Sequence, residues 1–174
     1  MHPATADRGF TLIETVAVLA VMLILASQAL PNWVDFIERK RLSEAAANLA
    51  TDLRWARMEA RAHGQPLRLS VLSETCYAVH TGASSACRCG AAGEAAVCTG
   101  SGQVIKTVRL EGTGLRLASN VSSMAFDPEH GTVTPTATLR VIGPSDRAIH
   151  HIVNVLGRVR SCSPQGAIGG LRAC

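Results

Sequence analysis

A 21-residue apolar run, Phe10 to Leu30, lies near the start of the sequence, and one charged side chain, Glu14, interrupts it. As a helix at 1.5 Å per residue it spans about 31 Å, close to the ~30 Å hydrocarbon core of a bilayer. The run is therefore predicted to cross a membrane once. A cleaved secretory signal is the rival reading, with Ser27-Gln28-Ala29 as a small-residue cleavage site and a mature chain beginning at Leu30. Two features count against it. The segment before the run holds one Arg and one Asp, and Glu14 would lie inside the apolar part of the signal. A carboxylate at that depth is costly and points to a function with a charged partner. The chain of 174 residues leaves room for one compact domain beyond this appendage.

Pro31 follows the run. It removes one backbone hydrogen bond and crowds the preceding turn, so it is predicted to kink the helix rather than end it. Beyond it Val34, Ile37, Leu42, Ala45, Leu49, Leu53, Ala56 and Ala60 recur at three- and four-residue steps, an amphipathic pattern that His63-Gly64 stops. The basic residues Arg39, Lys40, Arg41, Arg54, Arg57 and Arg61 alternate with Glu38, Glu44, Asp52 and Glu59. That interleaving reads as a solvated helix face with i to i+4 pairs.

From Gln65 the period changes to two. Leu67, Leu69 and Val71 alternate with Arg68 and Ser70, and short runs follow at 76–80, 104–110, 115–118, 138–142 and 148–156. Helix first and strands after argue an α+β head with antiparallel sheet rather than βαβ units. The stretch 81–102, rich in Ala, Gly, Ser and Cys, reads as a long loop or irregular hairpin.

Six cysteines, Cys76, Cys87, Cys89, Cys98, Cys162 and Cys174, all fall in the part placed on the oxidising side. An even count there favours disulfides. Cys162 with Cys174 would close the tail, and the other four allow three pairings, of which Cys87 with Cys89 is least favoured geometrically. A metal site from His80, Cys87, Cys89 and Cys98 is the alternative, although the CxxC spacing of zinc ribbons is missing. For catalysis His80, His130, His150 and His151 could act as bases, but no Ser or Cys stands in a nucleophile turn such as GxSxG. His150 and His151 should face opposite sides of a strand, one exposed and one packed. No catalytic, metal or cofactor site is expected.

The formal charge is +4, too small to mark a nucleic-acid binder by itself. Its distribution is more informative: from residue 130 onward Arg140, Arg147, Arg158, Arg160 and Arg172 face only Asp146.

The segment Arg8-Gly9-Phe10-Thr11-Leu12-Ile13-Glu14 resembles the class III signal of type IV pilins and type II secretion pseudopilins. The resemblance implies that a prepilin peptidase cuts after Gly9 and methylates the new amino terminus of Phe10. It also implies that Glu14 neutralises the terminal amine of a neighbouring subunit during assembly. A buried carboxylate beside a buried ammonium spares both from being unpaired in a low dielectric. The run Ala56-Arg57-Met58-Glu59-Ala60-Arg61 followed by Leu67-Arg68-Leu69 is similar to the helix end and first strand of the GspH/FimT family. Met124-Ala125-Phe126-Asp127-Pro128 with Gly131 is similar to its mid-domain strand and turn.

Gly157-Arg158-Val159-Arg160 resembles the GRxR motif of the FimT branch, whose members bind DNA during natural transformation. If that stretch is extended, Arg158 and Arg160 project from one face about 7 Å apart, a spacing suited to phosphates. Gly157 would let the backbone turn or approach closely. The structural reading is that both arginines guard an edge strand. Arg147 and Arg172 are auxiliary candidates, the latter returned beside the motif by a Cys162–Cys174 bridge. With Trp33 and Trp55 on the helix and Tyr77 before the loop, a stacking platform for single strands is poorly supplied, so duplex DNA is favoured.

The expectation is thus a type IV pilin-like α+β chain: leader 1–9, transmembrane helix half 10–30, amphipathic helix half 31–63, and a β-rich head 64–174 with a basic tail. Its expected partners are double-stranded DNA, other pilin subunits and the pilus assembly machinery, prepilin peptidase and the inner membrane. Its head would be periplasmic before assembly and on a cell-surface pilus afterwards. The alternative is an assembly-only minor pseudopilin of type II secretion, or a pilus-priming subunit, with Arg158 and Arg160 incidental.

Overall fold

The structure, a computed structural model, describes residues 11–166 and 168–174. Gly9 and Phe10, and with them the cleavage and methylation expectations, lie outside the described residues, as does the side chain of Pro31. One helix, α1, runs from Leu12 to His63 without a break at position 31. Thr11 caps it: the Glu14 amide approaches Thr11 Oγ1 at 3.4 Å and the Thr11 carbonyl at 3.1 Å. At the other end Gly64 adopts φ +61°, and the Gln65 amide bonds the Ala60 carbonyl at 3.1 Å. This bond, made possible by the left-handed glycine, satisfies a carbonyl that the helix leaves unpaired.

The chain divides into two compact units, residues up to Ile37 and Glu38–Cys174. In the first, Leu12, Ile13, Leu19, Leu23 and Ile24 are exposed, and the segment is long and apolar enough to cross a membrane. In the second, the rest of α1 lies against two antiparallel sheets.

The strands are β1 (Leu67–Ser73), β2 (Cys76–His80), β3 (Cys87–Arg88), β4 (Val97–Cys98), β5 (Val104–Arg109), β6 (Arg116–Ser119), β7 (Ser123–Phe126), β8 (Val133–Thr134), β9 (Ala137–Ile142), β10 (Ala148–Val153) and β11 (Val159–Cys162). One sheet has the order β5-β2-β1-β7-β8 and the other β11-β10-β9-β6; β3 and β4 form a separate ribbon. Alternation fixes the register. Leu69 stands opposite Val79 on one side and Met124 on the other, and Ile149 stands opposite Val141. These side chains meet Leu42, Ala46, Leu49, Leu53, Ala56 and Ala60 of α1 in a single core.

Two sequence expectations change. The strand expected over 148–156 ends at Val153, and β11 follows a tight turn; β8 was not foreseen. Asp52, read as part of a solvated face, is only 3% exposed. It lies three residues after Leu49 and four before Ala56, on the buried stripe. There it accepts from Tyr77 Oη at 2.9 Å and pairs with Lys106 Nζ at 2.5 Å. The stretch 81–102, expected as a long loop or irregular hairpin, contains the antiparallel β3–β4 ribbon, in keeping with the hairpin alternative. Cys87 and Cys98 are direct partners in that ribbon, with Cα atoms 4.0 Å apart, and are joined as a disulfide, while Cys89 is tied to Cys76 of β2. Cys162 is bonded to Cys174.

Candidate nucleic-acid interface

The β10–β11 hairpin carries the GRxR sequence, and its turn is built from local chemistry. Asn154 donates its amide to the Arg158 carbonyl at 3.3 Å and accepts the Arg158 amide on Oδ1 at 2.9 Å. The Gly157 amide closes the turn on the Asn154 carbonyl at 2.9 Å. Gly157 takes φ +69°, which only glycine adopts without strain. So Arg158 lies in the turn and not in a strand, whereas Arg160 lies within β11 opposite Ile152. Both arginines are exposed, Val159 between them packs against the core, and neither has a carboxylate partner among the described residues. β11 is an edge of its sheet.

Gly157 is buried because it lies on Arg57 of α1. A Cβ at Gly157 would come within 2.7 Å of Arg57 Cδ and Nε. Arg57 is half-buried, and its Nε donates to the Gly131 carbonyl at 2.8 Å. Gly131, at φ +63°, packs against Arg61 Cδ and Arg57 Nε, where a Cβ would be 2.9 and 3.3 Å away. The Val133 amide bonds the Val155 carbonyl at 2.8 Å and fixes the two loops to each other. Arg57 is therefore not the solvated charge that the sequence suggested. It ties the ARxEA helix end to the mid-domain turn and to the GRxR turn. The signal for this was the pair of glycines, Gly131 and Gly157, but nothing local links them to the helix.

The auxiliary candidates are not gathered there. Arg147 precedes Ala148 at the opposite end of β10, roughly 20 Å from the GRxR turn at ~3.3 Å per residue, and is partly buried. Arg172 is exposed beside Ser163, whose amide donates to the Arg172 carbonyl at 2.9 Å. That places it past the end of β11 remote from Arg158, although the Cys162–Cys174 bridge does fold the tail back onto this strand.

The candidate histidines are dispersed: His80 is in the core, His150 and His151 are on β10, and His130 is in the turn after β7. His80 Nδ1 donates to the Thr81 carbonyl at 2.9 Å, and Nε2 lies 2.8 Å from Ser70 Oγ, which donates to Ser123 Oγ at 2.8 Å. This serine–histidine pair is sealed in the core, Ser70 at 1% and His80 at 0% exposure, where no substrate reaches it. Cys87 and Cys98 offer ligand atoms within 4.8 Å of those of His80. Their sulfurs are bonded to each other, which removes the thiolates a metal would require. His151 is buried and His150 is half-buried on the opposite face of β10. Burial lowers the His151 pKa to about 4, helped by the nearby charges of Arg54 and His150. His150 is lowered by desolvation and by Arg140. His130 stands exposed beside Asp127, Nδ1 to Oδ1 3.3 Å.

Comparison with known proteins agrees with this architecture. A family profile described as type II transport protein GspH matches residues 45–157, and one described as the prokaryotic N-terminal methylation motif matches residues 5–27. Over 43 residues the chain is 51% identical to the type IV major pilin protein PilA of Myxococcus xanthus, covering 25% of this chain and 20% of that protein. Over 40 residues it is 52% identical to a fimbrial protein of Moraxella nonliquefaciens, covering 23% and 26%. The chain thus spans about a fifth to a quarter of the length of these curated relatives. Among solved structures it is similar to the type IV minor pilin FimU of Pseudomonas aeruginosa, with a TM-score of 0.52 at 19% identity over 75% of this chain and 97% of that one. It is also similar to the minor pseudopilin EpsH from the type 2 secretion system of Vibrio cholerae, with a TM-score of 0.50 at 15% identity over 71% and 98%. With the methylation motif at its start, the apolar helix half behind it and the family's profile over most of its head, this chain belongs to the GspH family of type IV pilin-like proteins.

Proposed function

We propose that the chain is a minor pilin that captures extracellular double-stranded DNA through the GRxR hairpin, for uptake in natural transformation. The observation that carries this reading is that Arg158 and Arg160 flank a core-anchored Val159, stand exposed, and have no carboxylate neutralising them among the described residues. Two guanidinium groups held this way suit bidentate phosphate contact, which supplies affinity without sequence preference. Binding by one subunit is weak, and repetition along a fibre adds avidity. The subunit has a binding and structural role with no catalytic step. In this reading residues 1–9 are the leader removed after Gly9, Phe10 is the methylated terminus, and 10–30 anchor the chain in the inner membrane. Pro31 kinks the helix, the helix from Glu38 to His63 packs on the head 64–174, and the head is periplasmic until assembly brings it to the cell surface. Glu14, exposed in the first turn of α1, pairs with a neighbouring subunit's terminal amine.

The test is fluorescence anisotropy of the full chain in detergent micelles with a short labelled duplex at two salt concentrations. Binding that weakens with salt, and is lost in Arg158→Ala plus Arg160→Ala with a native circular dichroism spectrum, supports DNA capture. Absence of binding at low salt and high protein concentration makes the assembly-only pseudopilin the better account.

A further inference from the structure

We infer that Arg61, on the helix, is a third DNA-contacting arginine, so that the interface spans α1 and the hairpin; this rests on the DNA-binding reading above. Arg54, Arg57 and Arg61 occupy positions i, i+3 and i+7 and so share one stripe of α1. The acids of this helix segment are engaged elsewhere: Glu59 pairs with His63 at 3.0 Å, and Asp52 is buried on Lys106 and Tyr77. Arg61 is exposed and has no carboxylate partner among the described residues.

The packing then brings this stripe to the hairpin. Arg61 Cδ and Arg57 Nε are no more than about 6 Å apart, being 2.9 and 3.3 Å from the same point on Gly131. Arg57 in turn lies against Gly157, whose next residue is Arg158. Arg57 is occupied by the Gly131 carbonyl and by this contact, whereas Arg61 uses only its aliphatic stem against Gly131 and keeps its guanidinium free for an anion. The acidic turn beside Gly131 opposes it only in part. Asp127, its side chain 43% exposed, has Oδ1 engaged by the Glu129 and His130 amides at 3.0 and 2.7 Å and by the His130 ring at 3.3 Å, and Glu129 is the second exposed carboxylate of that turn.

Each phosphate contact contributes about 0.9 to the slope of log affinity against log salt, so a fourfold rise in salt weakens binding about 3.5-fold per contact. Three contacts give about 40-fold and two about 12-fold. The experiment measures duplex binding by the full chain in micelles at 50 and 200 mM salt. It compares wild type, Arg61→Ala, Arg61→Lys and, as a distant exposed control on the β3–β4 ribbon, Arg88→Ala. The expected result is that Arg61→Ala drops from the three-contact to the two-contact salt dependence at unchanged thermal midpoint, while Arg61→Lys and Arg88→Ala keep the wild-type value. A wild-type salt dependence in Arg61→Ala, or an equal loss in Arg88→Ala, overturns the inference. If Arg158→Ala plus Arg160→Ala abolishes binding while Arg61→Ala changes nothing, only this inference falls. If the wild type binds no duplex at the lower salt, both fall.

Discussion

Gly157 lies so close against Arg57 that a β-carbon on the glycine would stand 2.7 Å from Cδ and Nε of the arginine. Gly157→Ala therefore suffers twice, from a left-handed φ and from overlap with a side chain held by the Gly131 carbonyl. The expected cost is about 2 to 4 kcal/mol. Gly64→Ala, with a similar φ but nothing within 4 Å, should cost about 1 kcal/mol. In an Arg57→Ala background the extra penalty of Gly157→Ala should shrink, and chemical denaturation of the four variants measures that coupling.

His151 makes the head acid-sensitive. Its folded pKa of about 4 lies below the ordinary value of 6.5, so between these values the unfolded chain binds the additional proton. Stability is then full above pH 6.5 and falls as the pH drops through this window, by up to roughly 3 kcal/mol at pH 4. Thermal midpoints from pH 7 to 4 should show this slope in the wild type and a flatter one in His151→Gln.

Asp52 joins helix and sheet by accepting from buried Tyr77 and from Lys106, whose side chain is 44% exposed. Asp52→Ala leaves the buried Tyr77 hydroxyl unpaired, at a cost of about 2 kcal/mol, while the half-exposed Lys106 ammonium regains water and adds little. Tyr77→Phe removes one hydrogen bond and should cost about 1 kcal/mol. A smaller loss for Asp52→Ala than for Tyr77→Phe in urea denaturation would count against the network.

The Cys162–Cys174 bond constrains the tail, whereas the GRxR turn is held by β10 and Arg57. Replacing both cysteines by serine should lower stability by up to about 3 kcal/mol. Duplex affinity should stay within about twofold of wild type if Arg172 makes no contact. A larger loss in the anisotropy titration would assign Arg172 to the interface.

The sequence alone determined the parts of this protein that rest on local chemistry. The apolar run with Glu14, the periodicity to Ala60, the Gly64 stop and the alternation in Leu67, Leu69 and Val71 all report backbone and solvent preferences within a few residues. The charge excess beyond residue 130 and the GRxR stretch were legible for the same reason. Tertiary structure decided what depends on partners distant in sequence. Asp52 and Arg57 look like ordinary helix charges until Lys106, Tyr77, Gly131 and Gly157 come to lie against them. Arg147, an auxiliary candidate by its charge, stands at the far end of β10 from the turn that holds Arg158. The choice among the disulfide pairings fell to the β3–β4 register, which sets Cys87 directly opposite Cys98. A charge near the surface is inexpensive wherever it falls, so a local pattern cannot reveal which one is buried; that follows from how the helix and sheets close over the core.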